Sequence, residues 1–162
     1  MYTAPVGYTH VLRICNKDMK SKNNFVWPTS GIVKCPDWLP HTSCGNGLHG
    51  YTPDKIDLSV SNTKKDDPHR KFLVIRVKNT DLVDLGDKVK FKEGEVIYCG
   101  TLEVAIRYFK SFFGPKVNSG SLVYNYANAV SNTRYGYAAS YRKAVSLRED
   151  SFAECLGCLG IA

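Results

Sequence analysis

The chain has 162 residues, 43% hydrophobic and 23% charged, with a formal net charge of +7. That composition describes a globular domain with room for at most a short appendage, and it excludes a largely disordered chain. No apolar run approaches the roughly 18 residues of a membrane-spanning helix, and Met1-Tyr2-Thr3-Ala4-Pro5 lacks the pattern of a secretory leader.

In chain order, residues 11–15 read as a short apolar strand, 16–24 as a polar loop and 31–35 as a second strand. Pro36-Asp37-Trp38-Leu39-Pro40 and Cys44-Gly45-Asn46-Gly47-Leu48-His49-Gly50 then form a proline- and glycine-rich passage, read as turns laid over a scaffold. Residues 71–78 are the strongest strand. Leu73, Ile75 and Val77 alternate with Phe72, Val74 and Arg76, so both faces are largely apolar and the strand belongs at the centre of its sheet. Residues 89–91 and 95–99 read as two shorter strands joined in a hairpin through Lys92-Glu93-Gly94. The spacing of Leu102, Ala105, Ile106, Phe109, Phe112 and Phe113 predicts a helix over 102–113. Thr101 would cap it, Glu103 and Arg107 would pair across one turn, and Gly114-Pro115 would end it.

Beyond residue 115 the pattern changes. Ala129-Val130-Ser131 recurs fifteen residues on as Ala144-Val145-Ser146, and Ala138-Ala139-Ser140 as Ala153-Glu154-Cys155. A fixed offset of short Ala-x-Ser pieces predicts a β-roll or β-solenoid, with Ala127, Ala129, Ala138, Ala144 and Ala153 along a seam. The expected fold is therefore α+β: a small mixed sheet with one main C-terminal helix over 1–115, followed by a β-roll-like tail over 116–162. A tail with so few coils also predicts a homo-oligomer.

The basic excess is spread along the chain, with 6 basic and 4 acidic residues in 1–60, 11 and 8 in 61–115, and 5 and 3 in 116–162. A mixed surface is the plain reading, and a folded pocket for an anionic ligand is the alternative. The six cysteines are read as reduced, buried structural thiols, Cys15, Cys35 and Cys99 closing strand-like runs. Cys35, His41, Cys44 and His49 offer a zinc donor set, but only His41 and Cys44 have the usual knuckle spacing. Cys155 and Cys158 have the two-residue gap of redox and metal motifs without a second pair. No metal or cofactor is expected, and zinc at the first set stays open.

Phe25-Val26-Trp27-Pro28-Thr29-Ser30-Gly31-Ile32-Val33, with the Pro36–Pro40 and Cys44–Gly50 stretches quoted above, resembles a family of uncharacterised proteins common in tailed bacteriophage and prophage genomes. Val83-Asp84-Leu85-Gly86-Asp87-Lys88-Val89-Lys90-Phe91 with Val96-Ile97-Tyr98-Cys99-Gly100 is similar to a second block of that family. The likeness covers residues 10–110. Where members continue with an apolar Leu-Leu-Trp stretch, Tyr51-Thr52-Pro53-Asp54 stands here. The resemblance implies phage origin and the host bacterial cytoplasm.

No serine elbow, phosphate loop or dinucleotide fingerprint is present. Cys44 with His49 is the one close nucleophile–base pair. The function expected on these grounds is a non-enzymatic phage accessory protein that binds and inhibits a host protein or complex, an anti-CRISPR-like or nucleotide-sequestering counter-defence factor. The alternatives are a virion appendage, or an ADP-ribosyltransferase-like enzyme using Arg13, the 47–52 stretch and Glu95. The expected binding residues are Trp38, Cys44, Asn46 and His49 on the glycine loop, with Arg134, Tyr135, Tyr137, Tyr141 and Arg142 in the tail. Tyrosine buries large area at small entropic cost and arginine clamps phosphate at two points.

Overall fold

Two long strands rich in β-branched residues set the frame of the first half of the chain. The computed structural model describes residues 4–21, 24–56 and 69–109, and beyond them the strands at 116–119, 122–125, 128–131, 137–140, 143–146 and 152–155. The chain divides into two units, Met1–Lys55 with Asp66–Ser111, and Ile56–Lys65 with Phe112–Ala162.

The first unit contains β1 (Tyr8–Cys15), β2 (Gly31–Lys34), β3 (Leu48–Gly50), β4 (Lys71–Lys78), β5 (Leu82–Asp84), β6 (Val89–Phe91), β7 (Glu93–Gly100) and helix α1 (Leu102–Arg107). A four-stranded antiparallel sheet has the order β1-β4-β7-β2, and a three-stranded antiparallel sheet the order β3-β6-β5. β4 is central, as its two apolar faces require. On one face Val11, Val33, Leu73, Ile75, Val77 and Val96 form a core with Leu48, Val89 and Phe91 of the small sheet. The alternate residues His10, Leu12, Phe72 and Val74 are buried as well. His10 lies edge-on to Tyr108 and Phe109, and its Nδ1 donates to the Tyr108 carbonyl at 3.1 Å. The end of α1 therefore covers this second face.

Two glycines bring backbone into close contact. A Cβ at Gly50 would stand 2.4 Å from Val11 Cγ1 and 2.7 Å from the Leu12 carbonyl oxygen. Only a glycine lets Leu12 and Tyr51 exchange backbone hydrogen bonds of 2.8 Å there. At Gly94 a Cβ would meet Ile75 Cγ2 at 2.6 Å.

The α+β expectation is corrected: among the described residues the fold is mainly β, with one short α-helix. Leu102–Arg107 is helical, not 102–113. The amides of Tyr108 and Phe109 bond to the carbonyls of Ala105 and Ile106, the tighter three-residue bonds of a closing turn. Two consecutive aromatics are poor helix formers, which favours that stop. Residues 110–115 lie outside the described residues, as does the Glu103 side chain of the expected ion pair. Thr101 is the N-cap residue, but its side chain makes no capping bond. The hairpin at 92–94 is corrected too. β6 pairs with β3 and β5, whereas β7 pairs with β4 and β2, so Lys92 is where the chain changes sheets. The Cys35 amide bonds to the Lys92 carbonyl at 2.8 Å, holding that crossing to the end of β2.

The second unit contains β8 (Lys116–Ser119), β9 (Leu122–Asn125), β10 (Asn128–Ser131), β11 (Tyr137–Ser140), β12 (Lys143–Ser146) and β13 (Phe152–Cys155). β9, β11 and β13 pair in parallel, with Leu122 beside Tyr137 and Tyr137 beside Phe152. β10 and β12 pair in parallel, Ala129 beside Ala144 and Ser131 beside Ser146. Every one of these pairs is fifteen residues apart, so the offset visible in the sequence is the register of the structure. Each fifteen-residue turn places one strand in each of two sheets. β8 runs antiparallel to β9 and forms one edge of the larger sheet. Ala129 with Ala144, and Ala138 with Ala153, hold equivalent positions on successive turns. Ala127 lies outside the described residues.

Candidate functional site

The passage between β2 and β3 is a loop folded back on itself. Its ends are fixed by sheet pairing, since β3 places Leu48, His49 and Gly50 opposite Phe91, Lys90 and Val89. The strand at Leu48–Gly50 lies where the sequence suggested only turns. Within the loop the Leu39 amide bonds to the Asn46 carbonyl at 3.0 Å. Asn46 Nδ2 donates to Asp37 Oδ2 at 3.0 Å, and Cys35 Sγ lies 3.1 Å from Asp37 Oδ1. Gly45 and Asn46 both adopt positive φ, +100° and +46°, residue types that tolerate that region.

Lys90 holds this loop. Its side chain is fully buried, and Nζ reaches the carbonyls of Ser43 at 3.0 Å and Gly45 at 3.2 Å, and His41 Nδ1 at 3.2 Å. An ammonium group has three donors and no acceptor, so these three partners complete its set and make His41 Nδ1 an acceptor. Nζ also lies 5.8 Å from the centre of the Trp38 ring. A Cβ on Gly47 would stand 3.0 Å from Lys90 Cδ and 3.3 Å from Trp38 Cζ3, so Gly47 lets the loop close on the lysine. Sequence reasoning missed Lys90. Its one signal was a lysine set between Val89 and Phe91, a charge inside an apolar triplet.

Cys44 and His49 meet on the outer side. Cys44 is exposed and its Sγ lies 3.9 Å from His49 Nε2. The Gly45 N–H donates to the same Nε2 at 3.4 Å, so this nitrogen is an acceptor. Burial pushes the His49 pKa below its ordinary value, as do the charges of Arg13, Lys88 and Lys90, while a hydrogen bond with the Gly47 backbone acts in the other direction. Arg13 Nη1 donates to the His49 carbonyl at 3.4 Å, and its guanidinium lies 5.1 Å from the Trp27 ring centre.

Trp38, Cys44, Asn46 and His49 are thus brought to one loop. Trp38 is half-buried over Lys90, and the Asn46 side chain is engaged with Asp37. Tyr137 stands on β11. Arg134, Tyr135, Tyr141 and Arg142 lie outside the described residues. Cys15 is buried, Cys35 and Cys99 are half-buried and Cys44 is exposed, so Cys44 departs from the expectation of buried thiols. Among the described residues no three His, Cys, Asp or Glu side chains gather as a metal-binding set.

Comparison with known proteins changes the expected context. Ice nucleation protein InaA of Pantoea ananas is 29% identical over 98 residues, covering 60% of this chain and 7% of that protein. An ice nucleation protein of Enterobacter agglomerans is 29% identical over 100 residues, covering 60% of this chain and 8% of its own length. The chain thus spans less than a tenth of the curated relatives it matches. No solved structure matches. These bacterial relatives overturn the phage family as the origin of the chain. With it fall the host-binding counter-defence function, the virion appendage and the host cytoplasm as location. The physical reason is plain in the fold. Trp27 packs in the core, Gly47 closes on Lys90 and Gly50 meets β1, so the quoted motifs serve the scaffold. Residues 9–107 match the family described as Domain of unknown function (DUF7666), a span that takes in β1 through α1, and the chain belongs to that family.

Proposed function

We propose that the second unit is a small water-ordering array of the ice-nucleating kind, and that the first unit is the β-domain preceding it in the chain. The observation that carries this reading is the fifteen-residue parallel register of β9, β11 and β13, and of β10 and β12. Parallel strands stack about 4.8 Å apart, and an in-register coil places equivalent residues in rows at that spacing. A periodic array holds adjacent waters at fixed separations, which lowers the barrier to forming an ordered nucleus. The relatives, ice nucleation proteins, point to the same activity. Nucleation depends on the area of ordered surface, so few coils give a weak effect. The expected homo-oligomer fits this reading, because copies that associate enlarge the array. The loop residues Trp38, Cys44, Asn46 and His49 have no part in it.

The test is droplet freezing of the purified chain against buffer and against the unfolded chain. The folded chain should raise the median freezing temperature. A variant carrying extra copies of residues 122–151 should raise it further. Freezing at the buffer temperature for both lengths, with circular dichroism showing folded β-structure, overturns the reading.

A further inference from the structure

The Cys44–His49 pair is independent of the array. A cysteine nucleophile needs a base in reach and a group that orients the base, and such contacts are often long in an unliganded protein. All three are present here. Sγ is 3.9 Å from Nε2, and the Gly45 N–H orients the ring by donating to that nitrogen at 3.4 Å. Cys44 is exposed, whereas Cys15 is buried and Cys35 and Cys99 are half-buried. Lys90 Nζ bonds to the carbonyls on both sides of Cys44, those of Ser43 and Gly45.

We propose that Cys44 is a thiol-exchange site that takes small-molecule disulfides, with His49 as its base. Cys44 Sγ attacks one sulfur of the disulfide, a new S–S bond forms, and the original S–S bond breaks. The Cys44 proton passes to His49 Nε2 and from there to the departing thiolate, which leaves as a thiol. Cys44 is oxidised to a mixed disulfide, and the departing sulfur is reduced. The groups facing His49 are Arg13 on β1, Lys88 and Lys90 on and beside β6, and Cys44 on its own loop. Burial, with these cations, favours the neutral imidazole, the form that can accept the proton.

The test uses the full chain with oxidised glutathione, peptide mapping to place the adduct, and 4,4′-dithiodipyridine absorbance for rates. Cys44 should carry the adduct and react about tenfold or more faster than in the urea-unfolded chain. The wild-type pH–rate profile should show an acid-side arm from His49 besides the thiol arm. His49→Gln should remove that arm and the rate advantage, and Cys44→Ser should abolish the adduct. A Cys44 rate equal to that of the unfolded chain overturns the proposal, as does a profile with the thiol arm only. If His49→Gln does not fold, the wild-type profile decides on its own.

Discussion

The two units use strands in opposite ways. In the first, neighbours run antiparallel, so the sequence separation of paired residues changes at every step: Tyr8 pairs with Lys78 but Cys15 with Lys71. In the second, coils stack in parallel and every pair is fifteen residues apart. An antiparallel sheet therefore fills each position once, with a residue chosen for its own neighbours. A coil repeats one solution. Gly50 against Val11 and Lys90 against Ser43 and Gly45 each answer one set of neighbours, whereas Ala129 and Ala144 are interchangeable by position.

The largest expected effect breaks the repeat. Deleting Thr133, between β10 and β11, moves the later strands by one residue, and a one-residue slip reverses every side chain relative to its neighbours. The β11–β13 offset stays at fifteen, so hydrogen exchange should show protection lost where β9 meets β11 and β10 meets β12. Retained protection there would mean that the offset is not what holds the coils together.

Next comes a local break in the first unit. Phe109 is fully buried beside His10, and Phe109→Ala should cost about 3–5 kcal/mol in denaturant melts. A loss under about 1 kcal/mol would mean that the face of β4 covered by α1 does not contribute as a packed layer.

The same contrast explains what the sequence disclosed. The register of the second unit was legible because Ala-Val-Ser recurs at its own pairing distance. The pairing of β9 with β11 was not, since Leu122-Val123-Tyr124-Asn125 and Tyr137-Ala138-Ala139-Ser140 share no residue type in register. In the first unit β4 announced itself by apolar residues on both faces. β3 and β5 are three residues each, too short for alternation to register, and β3 is masked by Gly45, Gly47 and Gly50. The end of α1 was missed because apolar spacing continues to Phe113 while hydrogen bonding tightens at Tyr108. At the candidate site the loop residues were found by type, but the lysine that organises them comes from β6, over forty residues away.

Lys90 gives a smaller and more specific prediction. Lys90→Met keeps much of the buried volume and removes the three Nζ bonds. Leaving the Ser43 and Gly45 carbonyls unpaired should cost about 1–3 kcal/mol. The loss should appear as faster proteolysis across residues 36–47. Unchanged cleavage there would show that the loop is held by Asp37 and Asn46 instead.

The smallest effect is a pH dependence that separates the two units. All four histidines, His10, His41, His49 and His69, belong to the first. Burial lowers the pKa of His10 first of all, with Arg76 acting in the same direction and the Tyr108 carbonyl opposing. His49 is lowered by burial and by Arg13, Lys88 and Lys90. An unfolded histidine takes its proton near pH 6.5. Below that pH the unfolded chain binds more protons than the folded one, so unfolding becomes easier as pH falls. Asp84 and Glu93 are held below the usual carboxylate range by Lys55 and Lys34. Asp84 is exposed and Glu93 only half-buried, so their loss on acidification comes later and is small. Between pH 8 and 5 the urea midpoint of the first unit should therefore decline while that of the second stays level, as read by hydrogen exchange resolved along the chain. His49→Gln should flatten part of the decline. A midpoint in the second unit that falls in step with the first would show that the coils borrow their stability from the β-domain, and the contrast between the units would then be one of pattern and not of folding.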